Sequence, residues 1–164
     1  MVCFVAGHHA VIAERYPEAT RLKEVDGVGP ITALTFVLTI DDVQRFAHTR
    51  DVGAFLGLVP RRDQSGMRDK ALPISKCGDQ FLRRLLVNCA QYIMGPFGKK
   101  SDLRTHGLAM LERLGEKSKK RAVVATARKL SVVLMSLLKS GASWQACRNP
   151  ALDVELSNLE INLA

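Results

Sequence analysis

The chain has 164 residues, of which 47% are hydrophobic and 24% charged, and its formal net charge is +8. This length and composition suit one globular domain with a sizeable core, and they exclude a disordered or fibrous chain. No apolar run approaches the roughly 20 residues of a membrane span, and the first residues lack a secretory signal, so we expect no membrane partner. The basic excess instead suggests a polyanionic partner.

The four cysteines, Cys3, Cys77, Cys89 and Cys147, are widely separated and form no C-x-x-C motif. A structural zinc site is therefore not expected, and we predict no metal site in this chain. Cys89 falls on an apolar helical face, where a reduced thiol is the common case, so the sequence favours a reducing cytoplasm.

Residues 22–34 have the form h-x-x-h-x-G-h-G-x-x-x-A, where h is apolar, and this pattern predicts a helix-hairpin-helix. Gly27 and Gly29 would let the backbone turn sharply, and Pro30 suits the first turn of the following helix, where an amide would be unpaired. Free amides at that helix start could bind a DNA phosphate without reading bases. The alternative is a plain pair of helices joined by a glycine-containing turn.

The next segment is expected to form helical pieces that support the region after it. The second hairpin helix continues to Ile40, and Asp41 with Gln44 is typical of a capping box. Thr49 could cap a further helix that reaches Leu56.

A long, polar and basic loop over residues 57–84 lies between these helices and the next one. Loops longer than about 12 to 15 residues are uncommon in compact domains unless they are functional or disordered. We expect at most a short β-hairpin, over residues 60–74. Within it, Ser65 precedes Gly66, so a phosphate could approach the hydroxyl closely, although Ser-Gly is also an ordinary turn.

Helical periodicity resumes after the loop. Asp79 could cap a helix that runs to about Met94. A shorter helix is predicted over residues 101–114 and a long one over about 117–139, stopped by Gly141. Because nearly every apolar segment has helical spacing, we predict an all-α fold.

Basic residues cluster in two stretches of the chain. Residues 61–84 hold seven basic and three acidic side chains, and residues 99–129 hold ten basic and three acidic ones. Lys117, Arg121 and Arg128 fall on one side of the last predicted helix. They could form a solvated face or a track for phosphates, and the sequence favours neither.

Three sequence blocks occur in a fixed order around the basic loop: GLVP at 57–60, SG at 65–66 and ISKCGDQFLRRLL at 74–86. Together they resemble the C-terminal domain of the bacterial insertion-sequence transposases of the one-ten, one-sixteen and nine-oh-two group, which are bridge-RNA-guided recombinases. The resemblance covers about residues 20–144. We therefore divide the chain into an N-terminal extension (1–19, unassigned), a C-terminal transposase domain (20–144) and a tail (145–164).

The resemblance implies a covalent mechanism in which Ser65 is the nucleophile. A hydroxyl needs activation, and attack on a phosphodiester develops negative charge that fixed cations stabilise. Lys76 and either Arg83 or Arg84 match the family pattern for this role, and other loop cations could assist. The full set expected to bind phosphate or DNA is Gly27, Gly29, Arg61, Arg62, Lys76, Arg83, Arg84, Lys117, Arg121 and Arg128.

The same resemblance implies the partners. It implies DNA, a guide RNA as a further candidate, and a homo-oligomer with the full-length transposase, in the bacterial cytoplasm at the nucleoid. In the family, an upstream RuvC-like domain holds four metal-binding carboxylates, so Mg²⁺ is expected there and no cofactor in this chain.

The sequence departs from the family pattern at three points. Asp79 replaces an asparagine, Leu72 and Pro73 replace small residues, and about 20 residues before the hairpin leave no room for the carboxylate domain. We therefore expect a part of a recombinase that is inactive alone.

Two alternatives stay open: a non-catalytic DNA-binding remnant of a transposase, and a helical module that binds RNA or protein. Ser75 is the rival hydroxyl to Ser65. Its expected role is to cap or position the next helix.

Overall fold

The computed structural model describes residues 15–65, 68–115 and 118–146, without the side chains of residues 62–65 and 68–71. Within these ranges the fold is all-α apart from one two-stranded hairpin, as the periodicity predicted. In chain order the elements are α1 (Pro17–Leu22), α2 (Pro30–Ile40), a 3-10 turn (Val43–Arg45), α3 (Asp51–Phe55), β1 (Pro60–Ser65), β2 (Arg68–Ile74), α4 (Gln80–Met94), α5 (Asp102–Leu114) and α6 (Lys119–Ser140).

The core is built around α6, which packs against α4, α5, α3 and α1. Its apolar positions recur at helical spacing, so one face is buried along the whole length of the helix. The fully buried positions include Ala127, Leu130, Leu134 and Met135. From α4, Leu82 and Leu86 complete the same cluster. Helix α6 therefore fixes the positions of the elements around it.

The predicted ends of the three long helices are confirmed. The Asp79 carboxylate accepts a hydrogen bond from the Leu82 amide at 2.5 Å, which starts α4. The Ser101 hydroxyl accepts one from the Arg104 amide at 3.3 Å, which starts α5. Helix α6 ends at Gly141, whose φ of 67° is the left-handed conformation typical of a helix C-terminus.

The caps predicted for the segment between α2 and the hairpin are wrong. Asp42, and not Asp41, caps the 3-10 turn by accepting from the Gln44 amide at 2.8 Å. Helix α3 begins at Asp51, so its N-cap residue is Arg50 and not Thr49, and no side chain caps it by a hydrogen bond. Both segments are a single turn or little more, so alternative caps one residue apart differ little in energy.

The region predicted as a long loop contains an antiparallel β-hairpin. Arg62 pairs with Ala71 and Ser65 with Arg68, whereas Pro60 pairs with Ile74. The register therefore shifts between these pairs, and β2 carries one extra residue in the stretch of Leu72 and Pro73. This β-bulge suits Pro73, because a proline cannot donate a ladder hydrogen bond.

The segment after α6 contacts both the residues that follow α1 and the start of α5. The Trp144 amide donates to the Glu24 carboxylate at 3.1 Å, although these residues are 120 positions apart. The Ala146 carbonyl accepts from the Asp102 amide at 3.0 Å, at the start of α5. The Trp144 side chain packs against the core. Among the described helices, none is both long and apolar enough to cross a membrane.

Candidate nucleic-acid interface

The base of the hairpin is fixed by direct contact between two backbone segments, residues 55–58 and 75–78. Gly57 (φ 69°) and Gly78 (φ 80°) adopt a left-handed conformation that other residues rarely tolerate. A Cβ on Gly57 would lie 2.2 Å from the Cys77 carbonyl oxygen, and a Cβ on Gly78 would lie 2.1 Å from that of Phe55. Glycine at both positions is therefore required by conformation and by space.

Arg83 holds the same two segments together. Its Nη1 atom donates to the carbonyl oxygens of Leu56 and Cys77, each at 3.0 Å. A half-buried arginine bonded to two carbonyls anchors the hairpin to α4, so the structure gives Arg83 a positioning task that the sequence did not suggest. Its predicted contact with a phosphate stays a prediction.

The other predicted cations with described side chains lie near the hairpin base and are exposed. Arg61 lies in β1, and Arg84 lies on the first turns of α4. Lys76 has a φ of 57°, and its amide donates to the Gly57 carbonyl at 3.1 Å, so its backbone belongs to the close contact. A strained, non-glycine residue at this point is held there by its surroundings.

The expectation that Ser75 caps the next helix is wrong, because Asp79 caps α4. The Ser75 amide instead donates to the Val59 carbonyl at 2.8 Å, which continues the pairing of the hairpin strands. Ser75 is therefore part of the hairpin base.

A groove of about 770 Å³ lies between the hairpin base, α5 and α6. Its floor is mainly apolar, with Leu58 and Ile74 from the hairpin side, Met110 from α5, and Val124 and Val132 from α6. Leu72 and Pro73 of the β-bulge also line it. The bulge that departs from the family pattern thus forms one wall of this groove.

Five exposed cations surround the apolar floor. Four come from α6 and one from α5. Arg121 and Arg128 are seven residues apart and lie on one side of α6, whereas Lys120 and Lys129 are nine residues apart and lie at opposite edges of the face that lines the groove. Within the described residues the groove is lined by no carboxylate. The five are Arg113, Lys120, Arg121, Arg128 and Lys129.

His106 also lines the groove. Burial lowers the pKa of its imidazole below the ordinary value, and the nearby charges of Lys129 and Arg113 lower it further. The side chain is therefore neutral near pH 7, and the positive charge of the groove comes from the lysines and arginines.

Arg121 and Arg128, which the sequence placed on one side of a helix, line the groove together. Sequence reasoning missed Arg113, Lys120, Lys129 and His106. The first three belong to the basic stretch 99–129, but only the packing of α5 on α6 shows that they share a surface. His106 carried no sequence signal.

The turn between α1 and α2 lies against the end of α4, and it contributes no residue to the groove. Gly27 has a φ of 86°, and a Cβ there would lie 2.9 Å from Ile93. Gly29 has a φ of −83°, which any residue adopts, and nothing lies within 4 Å of its Cβ position. The expectation that both glycines allow the turn is therefore correct for Gly27 and wrong for Gly29.

Cys89 lies beneath the start of α2. Its sulfur and the Thr32 hydroxyl are 3.6 Å apart and share a hydrogen bond. Burial raises the pKa of the Cys89 thiol, and hydrogen bonds from Thr32 and the Gly29 backbone partly offset that rise. The predicted binding of DNA by Gly27 and Gly29 stays a prediction.

This difference between the two glycines can be measured. We expect Gly27→Ala to lower the free energy of unfolding by about 2 kcal/mol, because alanine is strained at positive φ and meets Ile93. Gly29→Ala should be neutral or stabilising by up to about 1 kcal/mol, because it restricts the unfolded chain. Urea denaturation followed by circular dichroism would compare them. Equal losses for both variants would contradict this account of the turn.

The structure describes three predicted residues only in part or not at all. The backbones of Arg62 and Ser65 lie in β1, with Ser65 in the last pair before the turn, but their side chains lie outside the description. Lys117 lies outside the described residues. In the described part of the chain, no group of three or more histidine, cysteine, aspartate or glutamate side chains could hold a metal ion.

Comparisons with known proteins agree with the sequence blocks. Residues 19–106 match the model of the Transposase IS116/IS110/IS902 family. A transposase for insertion sequence element IS1111A from Coxiella burnetii is 35% identical over 128 residues, which is 77% of this chain and 34% of that protein. A probable family 20 transposase from Pseudomonas aeruginosa is 35% identical over 130 residues, 79% of this chain and 37% of that protein.

A third relative is a transposase for insertion sequence element IS1328 from Yersinia enterocolitica, 43% identical over 76 residues, 46% of this chain and 23% of that protein. The chain thus spans about a third or less of the length of these curated relatives. Because the family match covers more than half of its 164 residues, the chain belongs to the IS116/IS110/IS902 transposase family.

Proposed function

We propose that this chain binds DNA phosphates in the basic groove as part of a transposase, and that Ser65 is the nucleophile of the complete protein. The observation that carries DNA binding is the convergence of five exposed cations from α5 and α6 along one groove. Contacts from lysine and arginine to phosphates supply most of the affinity of proteins for DNA of any sequence.

The distance between groove and hairpin tip suggests how DNA would lie. Pro60 lines the groove, and Ser65 ends the same strand five residues later. At about 3.3 Å per residue, the tip is roughly 17 Å from the groove edge. Along the axis of a DNA duplex this corresponds to about five base-pair steps of 3.4 Å. The groove would therefore hold phosphates that flank the attacked one.

In the proposed reaction, the Ser65 oxygen attacks a DNA phosphorus and forms a phosphodiester with the protein. The bond from phosphorus to the leaving sugar oxygen breaks, and that oxygen takes up a proton. The serine proton passes to a general base, which the complete protein must provide, because serine is a weak nucleophile without activation. Arg61 and Lys76 lie at the hairpin base, away from the tip that carries Ser65, so they would contact phosphates that flank the attacked one.

Further partners belong to the same proposal. DNA is the substrate that fits the groove, and a guide RNA and a homo-oligomer with the full-length transposase would complete the assembly. A location in the bacterial cytoplasm at the nucleoid follows from the same function.

The groove can be tested with the double variant Lys120→Gln/Lys129→Gln. We expect weaker binding to a mixed-sequence DNA duplex, because two phosphate contacts are lost. The slope of log K against log salt concentration should become less steep by about 2, since each contact contributes about 0.9. Fluorescence anisotropy between about 50 and 200 mM salt would measure this slope.

The matched control is Lys119→Gln/Arg50→Gln, which removes the same charge from exposed positions outside the groove. Lys119 is the sequence neighbour of Lys120 on the same helix. A control slope equal to that of the groove variant would show that net charge, and not the groove, determines binding. An affinity independent of salt would contradict phosphate binding altogether.

A further inference from the structure

The composition of the groove indicates that it can bind an apolar surface as well as phosphates. A surface that touches only phosphates needs cations and polar groups, whereas this groove has a continuous apolar floor from the hairpin, α5 and α6. Leu58 is fully buried beneath it, and Ile74, Met110, Val124 and Val132 are partly exposed. An occupant that suits both features is apolar on one side and acidic on the other.

The chain itself contains such a segment. Residues 152–156 read LDVEL and residues 159–163 read LEINL, so apolar and polar residues alternate in both. In an extended conformation this alternation places leucine, valine and isoleucine on one face and carboxylates on the other. Residues 149–164 carry three carboxylates, Asp153, Glu155 and Glu160, and no lysine or arginine. The segment thus complements the groove, whose described lining holds five cations and no carboxylate.

The described chain ends close to the groove. Its last residue, Ala146, is hydrogen-bonded to the start of α5, one turn before His106 in the groove lining. A smaller cavity of about 270 Å³ is lined by Trp144 and Gln145, and it shares Lys129 and Val132 with the groove. The two cavities are therefore neighbours, with Lys129 and Val132 between them.

The remaining residues are long enough to fill the groove. Along α5, Asp102 and Arg113 are eleven residues apart, which is roughly 16 Å at 1.5 Å per residue. The segment 147–164 could span up to roughly 59 Å at 3.3 Å per residue. The segment is therefore long enough to extend along the whole groove.

We propose that the acidic segment 149–164 of this chain binds in the basic groove, with its apolar residues on the groove floor and its carboxylates against the five cations. The segment would occupy the surface that we propose for DNA phosphates, and DNA must displace it. Because the segment is tethered, its effective concentration is of the order of millimolar, so even weak intrinsic affinity of about 100 µM would reduce apparent DNA affinity about tenfold.

The contact can be tested without DNA. A carbodiimide joins a lysine amine to a carboxylate that lies against it. In the full chain, we expect links from Asp153, Glu155 or Glu160 to Lys120 and Lys129, mapped by mass spectrometry of the digested protein. Lys119, which lies next to Lys120 but outside the groove, should give few such links.

The protein contains its own positive control. Lys99 and Asp26 form an ion pair with 2.9 Å between Nζ and Oδ1, so this pair should be linked in every sample. If that link forms while the acidic segment gives none to Lys120 or Lys129, the proposal is wrong. Links spread evenly over all lysines would overturn it as well.

Isotope mixing identifies the chain that supplies the segment. In a mixture of ¹⁴N- and ¹⁵N-labelled protein, links within one chain join peptides of the same label. Links that join different labels would assign the segment to the groove of a second copy and overturn binding within the chain.

The DNA part of the proposal rests on the proposed function and has its own measurement. Asp153→Asn/Glu155→Gln/Glu160→Gln should bind a DNA duplex about tenfold more tightly than the wild type. The control Glu18→Gln/Asp41→Asn/Glu112→Gln changes net charge equally at exposed positions outside the groove. Equal tightening by both variants would overturn the competition. If no variant binds DNA, the proposed function fails, while the linkage result still decides whether the segment occupies the groove.

Discussion

Gly78→Ala is expected to lower the free energy of unfolding by about 3 kcal/mol or more, which is a large share of the typical 5–15 kcal/mol. Two effects add. Alanine at a φ of 80° is strained by about 1–3 kcal/mol, and its Cβ would lie 2.1 Å from the Phe55 carbonyl oxygen, so one backbone segment must move. Overpacking of this kind costs typically about 1–3 kcal/mol. Urea denaturation followed by circular dichroism gives the value.

Gly115→Ala separates the two effects. Gly115 also has a positive φ, of 75°, but no atom of the described residues lies within 4 Å of its Cβ position. This variant should therefore lose only the conformational part, about 1–3 kcal/mol. A loss from Gly78→Ala no larger than that from Gly115→Ala would show that residues 55–58 and 75–78 do not need their close contact.

Ser65→Ala in a complete transposase is expected to abolish strand transfer and the covalent adduct between protein and DNA. DNA binding should be nearly unchanged, because one hydroxyl contributes little to affinity beside several phosphate contacts. Adduct formation would be followed by trapping the complex and mapping the modified peptide by mass spectrometry. The isolated chain should form no adduct with an intact duplex.

Ser75→Ala is the matched control for the nucleophile. Asp79 and not Ser75 caps α4, so Ser75→Ala should change the free energy of unfolding by no more than about 0.5 kcal/mol. The adduct should still form. A phosphodiester link to Ser75, or to any residue other than Ser65, would overturn the assignment. A complete wild-type protein that binds DNA without any adduct would favour the non-catalytic remnant.

The long helices could be predicted from sequence because their signals are local. Asp79, Ser101 and Gly141 each act on the amides or carbonyls of the adjacent turn, and apolar spacing defines the buried face between them. The short segments near Asp41 and Thr49 were mispredicted because little energy separates neighbouring caps. The sequence predicted at most a short β-hairpin, because the strands are polar and lack the alternating apolar residues that indicate a strand.

The candidate site was less predictable because it depends on packing between distant elements. Sequence counting identified the basic stretch 99–129, but not that Arg113 from α5 and Lys129 from α6 share a groove. Arg83 was predicted to bind phosphate, and the sequence did not indicate the two hydrogen bonds that its guanidinium donates to backbone carbonyls. The sequence alone does not show whether an arginine binds a ligand or stabilises the fold through hydrogen bonds to the backbone.

The hydrogen bond between Trp144 and Glu24 has a consequence for how this domain can be combined with others. Glu24 follows α1 directly, and Gly141 lies close to the Arg21 guanidinium, so the chain enters and leaves the described domain on the same side. Domains with adjacent termini accept insertion into other proteins and circular permutation, because a short linker can join the ends. The described domain could therefore be joined to other domains at one side, through linkers near Arg21 and Gly141.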